Sequence, residues 1–227
     1  MMESSELQLQ SRVGDTVKTR VISHNARLPY RFAKRAFDIA AALFALIVLS
    51  PVFLITALAI RLDSKGPVFF AQDRLGHRGR YFKMYKFRSM VVNAEQLLKQ
   101  LESKNEVSGH MFKMRNDPRI TRVGRVIRKT SIDELPQLIN VLKGDMSLVG
   151  PRPPLPREVN LYDKWQDLRL SVRPGITGLW QISGRNDIGF EEMINLDLKY
   201  IRERCFSYDI KIILKTIPVL LGDSKAF

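Results

Sequence analysis

Residues 39–60 read IAAALFALIVLSPVFLITALAI, a run of 22 residues from Ile39 to Ile60 without a charge, interrupted at its midpoint by Ser50-Pro51. As one straight helix the run would be ~33 Å long at ~1.5 Å per residue, enough to cross a hydrocarbon core of ~30 Å. Pro51 works against that simple reading. It cannot donate to the carbonyl four residues earlier and its ring crowds that turn, so the sequence predicts a helix kinked or broken into two halves. The Ser50 hydroxyl is placed to satisfy a carbonyl that Pro51 frees. Arg31, Lys34 and Arg35 precede the run and Arg61 and Lys65 follow it, so positive charge marks both ends. Three readings stay open on these residues alone: a kinked spanning helix, favoured by length; a re-entrant helix-break-helix anchor, favoured by charge at both ends; and a signal peptide or buried core helix. Ala57-Leu58-Ala59 has the form of a small-residue cleavage site, but the run exceeds the usual signal-peptide core of ~7–15 residues and about thirty residues precede it.

The chain has 227 residues, room for one globular domain plus this membrane element. Lys and Arg number 37 against 23 Asp and Glu, a net charge of +14. That excess calls for an anionic partner: phospholipid headgroups, nucleic acid or phosphorylated substrates. The single cysteine, Cys205, excludes an intramolecular disulfide and fits a reducing cytoplasm. His24, His77 and His110 are scattered with no partners at ligand spacing, which argues against zinc, so any metal would be held by oxygen.

Residues 1–29 are polar with few large apolar groups and are expected to form a flexible tail, followed by the segment with the apolar run at 30–62 and a further domain at 63–227, which the family resemblance given below makes a membrane anchor and a cytoplasmic domain. Pro67 to Gln72 and Tyr81 to Phe87, joined by Gly76-His77-Arg78-Gly79, predict a β-hairpin. Apolar residues at helical spacing predict helices over Val91 to Leu101, Arg119 to Lys129, Leu135 to Leu142, Phe190 to Arg204 and Ser207 to Leu221. Met146 to Val149 is a short extended piece and Gly150 to Pro154 a rigid turn. The fold class is therefore α+β and mostly helical, with amphipathic interfacial helices and one small hairpin.

Two basic stretches carry little counter-charge: Arg74 to Arg88, and Lys113 to Lys129 with only Asp117. A solvated or headgroup-facing surface accounts for most of their residues, and convergence of a few on a phosphate is the alternative. Arg152 stands out because Pro151 and Pro153 restrict its backbone and aim its guanidinium. Asp133-Glu134 are adjacent carboxylates at the expected mouth of a helix. Ser131 and Glu134 have capping-box spacing, which explains the pair structurally. The functional alternative makes Asp133 a nucleophile able to form an acyl phosphate, with nearby Arg residues holding an anionic substrate. No Gly-rich loop ending in Gly-Lys-Ser/Thr and no dinucleotide fingerprint is present.

Lys34-Arg35-Ala36-Phe37-Asp38, Ser50-Pro51, Lys86-Phe87-Arg88-Ser89-Met90, Ser131 to Leu138, Gly144 to Pro153 and Arg173 to Gly178 occur in one order. That ordered set closely resembles the bacterial sugar transferase family, the monotopic phosphoglycosyl transferases that start glycan assembly on polyprenyl phosphate. The resemblance runs from about Tyr30 to the C-terminus. Leu179 to Asn186 is most similar to the members that initiate exopolysaccharide synthesis with galactose or glucose phosphate. Larger members carry further transmembrane helices before this core, and the chain resembles the minimal form.

The resemblance implies that Ser50-Pro51 is the corner of a re-entrant helix, reversing the preference from length. It implies that Asp133 attacks the sugar-bearing phosphate of a UDP-hexose, expels UMP, and passes the phosphosugar to undecaprenyl phosphate, with Mg²⁺ beside Asp133. Glu134 would act as base or positioner toward the lipid phosphate. Arg128 and Arg152 would hold phosphates, with Lys86, Arg88, Arg185 and Asn186 as further substrate-binding candidates. It places the protein on the cytoplasmic face of the bacterial inner membrane, against anionic phospholipid, with no nucleic-acid partner; a homodimer, the hexose and the roles of Trp165 and Trp180 are left open. Two competing classes are a non-catalytic membrane scaffold and a basic nucleic-acid-binding protein. The first gives no reason for Asp133-Glu134 beside Arg128 and Arg152, and the second leaves the uncharged run unexplained and offers no stacking platform.

Overall fold

The computed structural model describes residues 7–13, 28–101, 114, 116–184 and 188–222. Within the stretch expected to be a tail, residues 7–13 form a helix, α1, whose Leu9 and Val13 are buried. Two apolar side chains four residues apart share one helical face. They join a core of Leu75, Val159, Tyr162, Leu170, Met193 and Ile194. Arg12, on the same short helix, donates to Val159 O at 2.8 Å and pairs with Asp167 at 3.4 Å.

The uncharged run forms the end of α2 (Leu28–Val48) and most of α3 (Ser50–Asp63), and the two helices are bent by 60° at Leu49. Among the described residues no single helix is long and apolar enough to cross a membrane; this bent pair passes that test only together. The break has the chemistry expected of it. Pro51 has no N–H to offer Ile47, and Ser50 Oγ donates to that same Ile47 carbonyl at 2.8 Å. Phe53 N–H then reaches Leu49 O at 3.0 Å, resuming the ladder. Phe44, Ile47, Leu54, Ile55 and Leu58 lie exposed along the pair.

Lys34, Arg35 and Asp38, which in the sequence mark the entrance to the apolar run, fasten α2 to the domain. Arg35 donates to Val141 O at 2.6 Å and Leu142 O at 3.0 Å, satisfying carbonyls at the end of α6 (Gln137–Lys143). Lys34 bonds Asp209 at 3.0 Å, and buried Asp38 accepts the Leu148 N–H at 3.1 Å. Asp38, the one acid of α2, is thus paired with backbone of the domain.

The predicted hairpin is present: β1 (Phe69–Leu75) runs antiparallel to β2 (Tyr81–Phe87), with Phe69 opposite Phe87 and Leu75 opposite Tyr81. A second, two-stranded sheet pairs β3 (Ser147–Val149) in parallel with β4 (Gly175–Thr177), the latter not anticipated. Gly175 is required there by close approach, since a Cβ would lie 2.1 Å from Gly150 N. The remaining helices are α4 (Ala94–Leu101), α5 (Arg122–Lys129), α7 (Pro156–Val159), α8 (Leu179–Ile182), α9 (Phe190–Glu203) and α10 (Phe206–Gly222). β2 is held on two sides. Phe82 and Met84 pack with Ala42, Leu138, Val141 and Met146, while Phe87 packs with Ile60 of α3 and Ile127 of α5. The hairpin therefore bridges both halves of the bent pair and the segment carrying Asp133.

Candidate active site

Thr121 caps α5, its Oγ1 accepting Gly124 N–H at 2.9 Å, and the helix ends at Thr130. The next residue, Ser131, has φ 54°, a left-handed conformation rare for a residue with a side chain. This corrects the capping-box reading. Ser131 makes no side-chain cap bond, and it occupies the position after a helix C-cap where a left-handed residue closes the preceding helix. A single 3-10 turn, Ile132–Glu134, follows, and α6 starts only after Pro136. Asp133 and Glu134 therefore stand in a tight turn between two helices, not at the mouth of one.

That turn separates the two carboxylates. Glu134 faces a cleft and accepts a bond from Lys86 of β2 at 2.7 Å. Asp133 is 8% exposed and is not among the residues lining the cleft. Its carboxyl is pushed up to about 6, first by burial and then by the Glu134 charge, while Lys86 and Arg128 pull the other way. Asn140, fully buried on α6, fixes this geometry: its Oδ1 accepts Tyr85 N–H at 3.0 Å and its Nδ2 donates to Lys83 O at 2.7 Å. The strand carrying Lys86 is thereby stitched to the helix that follows the turn.

The cleft is walled by Arg74, Lys86, Glu134, Gln137, Arg152 and Gln181, among others. Arg152 sits on the Pro151-Arg152-Pro153 turn, as expected, and two buried guanidinium groups grip that turn. Arg169 donates to Arg152 O at 3.1 Å, and Arg74 to Pro153 O at 2.9 Å. The Arg152 guanidinium lies 6.0 Å from the Trp180 ring centroid. Trp180 thus lies beside Arg152 while packing, like Trp165, against the core containing Leu75 and Tyr162.

Not every sequence candidate gathers here. Arg88 is buried and donates to Lys65 O at 2.7 Å and Ser64 O at 2.8 Å, tying down the chain as it leaves α3. Arg185 and Asn186 lie outside the described residues. Arg128 contributes its charge to Asp133. Sequence pattern does not single out Arg74 or Asn140, because Arg74 is one cation in a basic run and Asn140 is one polar position in a helix. No group of three His, Cys, Asp or Glu able to hold a metal comes together among the described residues.

The family model described as bacterial sugar transferase matches residues 29–223. The chain belongs to the bacterial sugar transferase family. The galactosyl transferase CpsE of Streptococcus agalactiae is 55% identical over 83% of this chain and 42% of its own length. The undecaprenyl-phosphate galactose phosphotransferase of Salmonella typhimurium is 44% identical over 92% of this chain and 44% of its own. The exopolysaccharide production protein ExoY of Sinorhizobium fredii is 42% identical over 83% and 85%. The chain thus spans less than half of the first two relatives and most of the third. The family match begins near the start of α2 and takes in the bent pair, the hairpin and the Asp133-Glu134 turn.

Proposed function

We propose that this chain transfers hexose-1-phosphate, galactose or glucose, from a UDP-hexose to undecaprenyl phosphate, releasing UMP, as the first membrane step of exopolysaccharide or other glycan assembly. The observation that carries the reading is the Asp133-Glu134 turn set beside Lys86 and a cleft walled by Arg74 and Arg152. It is supported by relatives named as galactose and glucose phosphotransferases of undecaprenyl phosphate.

In the proposed reaction a carboxylate oxygen of Asp133 attacks the sugar-bearing phosphorus. The bond from that phosphorus to the bridging oxygen breaks, and UMP leaves with the electron pair. An oxygen of undecaprenyl phosphate then attacks the same phosphorus, breaking its bond to Asp133 and restoring the carboxylate. One difficult transfer between two anions becomes two easier steps. Arg128, Arg152 and Lys86 hold phosphate oxygens and offset their charge, and Glu134 positions or deprotonates the acceptor phosphate. Asp133 is buried and outside the cleft lining, so the reaction needs a rearrangement of the turn that exposes its carboxylate to the donor phosphate. Mg²⁺ belongs to the proposal: Asp133 would be the protein group that holds it, and the ion would supply neutralisation of phosphate charge.

The bent pair acts as a re-entrant anchor in the bacterial inner membrane, with both flanks and the catalytic domain on the cytoplasmic side. Its exposed Phe44, Ile47, Leu54 and Ile55 suit hydrocarbon, and the basic residues at both ends suit anionic headgroups. UMP release from a panel of UDP-hexoses, with and without undecaprenyl phosphate, tests the reading. Sustained release with UDP-galactose or UDP-glucose that depends on the lipid is expected; no release from any UDP-hexose would end it.

A further inference from the structure

The two guanidinium groups that grip the Pro151-Arg152-Pro153 turn perform the same mechanical task, yet their charges are handled differently. Arg169 faces Asp197 at an N–O distance of 2.5 Å and also bonds the Tyr162 hydroxyl at 2.7 Å. Its positive charge has a carboxylate in direct contact. Arg74 is almost as deeply buried, 6% exposed, and its bonds go to neutral oxygens only: Gln72 Oε1 at 3.1 and 2.7 Å and Pro153 O at 2.9 Å. No carboxylate among the described residues makes an ion pair with it.

The charges around Arg74 sharpen the contrast. After burial itself, the largest electrostatic influence on it is another cation, Arg152; the acids Glu158 and Glu134 oppose it, and Arg157 adds a weaker repulsion. Three bonds also leave part of a five-donor fork unused. A buried cation with no carboxylate in direct contact is costly, and a neighbouring cation adds to the cost. Unlike Arg169, Arg74 lines the cleft, where Arg152 presents a further cation and Lys86 another that is held by Glu134. An anion in the cleft would give Arg74 the contact partner it lacks.

We propose that Arg74 is a substrate-binding residue, its guanidinium forming with Arg152 and Lys86 an oxyanion site for the phosphate groups of the substrates. The inference rests on the function proposed above and adds to it a residue whose turn-clamping role hides a second one. The shared chemistry is a phosphate oxyanion, supplied by the donor diphosphate or by the polyprenyl phosphate. Planar guanidinium groups in a fixed fork match phosphate oxygens, and each charge-assisted bond lost weakens binding measurably.

The test uses the full chain purified in detergent, as wild type, Arg74→Gln and Arg74→Lys, with affinities measured for UDP and for farnesyl phosphate and unliganded melting temperatures recorded alongside. Expected for Arg74→Gln is a loss of UDP affinity of about tenfold or more. Arg74→Lys, which keeps the charge but not the fork, should fall between the two. A loss confined to farnesyl phosphate would support the oxyanion site and assign it to the acceptor. Unchanged affinities for both ligands in Arg74→Gln, even with a lowered melting temperature, would overturn the proposal and leave Arg74 as a turn clamp. If Arg74→Gln does not fold, Arg74→Lys decides, and wild-type affinity for both ligands in it would be the overturning result. Failure of the parent reading is separate: wild-type protein that binds UDP but releases no UMP from UDP-hexoses would refute the transferase function and not the anion site.

Discussion

Lys86 on β2 and Glu134 on the turn after α5 meet at 2.7 Å, and that ion pair stands directly beside the desolvated carboxyl of Asp133. Lys86 therefore has two acids to serve. Whichever way its charge is drawn, the ionisation of Asp133 responds.

The first expected outcome concerns pH. Asp133 titrates at about 6 in the folded protein, raised by burial and by Glu134 and opposed by Lys86 and Arg128. As the proposed nucleophile it must be ionised, so formation of the proposed phosphosugar adduct should rise with pH through that region and level off above it. Lys86→Met removes an opposing cation and should move this limb to higher pH. Glu134→Gln removes the like charge and releases Lys86, so it should move the limb lower. Single-turnover formation rates against pH provide the measurement, and limbs that stay fixed or move the opposite way would contradict the arrangement.

The same shift bears on stability. A carboxyl whose folded value is raised costs the fold free energy wherever it is ionised, above about pH 6, and that cost fades as pH falls toward its unfolded value of 3.8. Asp133→Asn should accordingly be at least as stable as wild type at pH 7.5, with its advantage shrinking toward pH 4. Thermal melts across that range check it; a large loss of stability at pH 7.5 would mean that Asp133 holds the turn together.

Arg88 is expected to matter for the fold more than for substrate. Arg88→Met leaves the Ser64 and Lys65 carbonyls without their donor and should cost about 1–3 kcal/mol of stability, with the donor KM of the folded fraction nearly unchanged. A raised donor KM at an unchanged melting temperature would return Arg88 to the substrate site.

A sequence shows a structural feature to the extent that the cause of that feature is local. Pro51 and Ser50 announced both the break and its repair, because the freed carbonyl and the hydroxyl that satisfies it are three residues apart. The hairpin was readable from its aromatic strands and glycine turn. β4 was not, since three residues paired with a distant strand leave no alternation to see. Ser131 misled for a related reason: the same residue spacing serves an opening cap or a closing left-handed turn, and only the ends of α5 and α6 distinguish them. Arg74 was hidden because exposure and pairing, which set it apart from Arg78 or Lys83, are properties of the folded chain.

The docked α1 gives a further expectation. Asp167 is fully buried, its carboxyl pushed up to about 6 by burial against the opposing pull of Arg12. Arg12→Met should destabilise the protein by about 1–2 kcal/mol, a modest figure because the arginine is partly exposed and screened. The loss should be largest above pH 6, where Asp167 is charged, and should fade as acid neutralises it. A loss independent of pH would show that Arg12 acts through packing.

Topology offers a test of the anchor. With Cys205, which is exposed, replaced by Ser, cysteines introduced before Leu28 should resist an impermeant reagent added outside right-side-out inner-membrane vesicles. Ser50→Leu combined with Pro51→Ala should restore a continuous helix, carry the N-terminal segment across and make it reactive. Protection unchanged in the double variant would mean that contacts such as Arg35 with Val141 and Leu142 hold the topology instead of the break.

In the proposed reaction Asp133, and not its better exposed neighbour Glu134, carries the phosphosugar. The direct measurement is mass spectrometry of peptides from enzyme quenched after exposure to UDP-hexose without lipid acceptor. The expected result is a hexose-phosphate adduct on Asp133, present in wild type, absent in Asp133→Asn, and still formed in Glu134→Gln. An adduct on Glu134 or any other residue, or full turnover by Asp133→Asn, would contradict it.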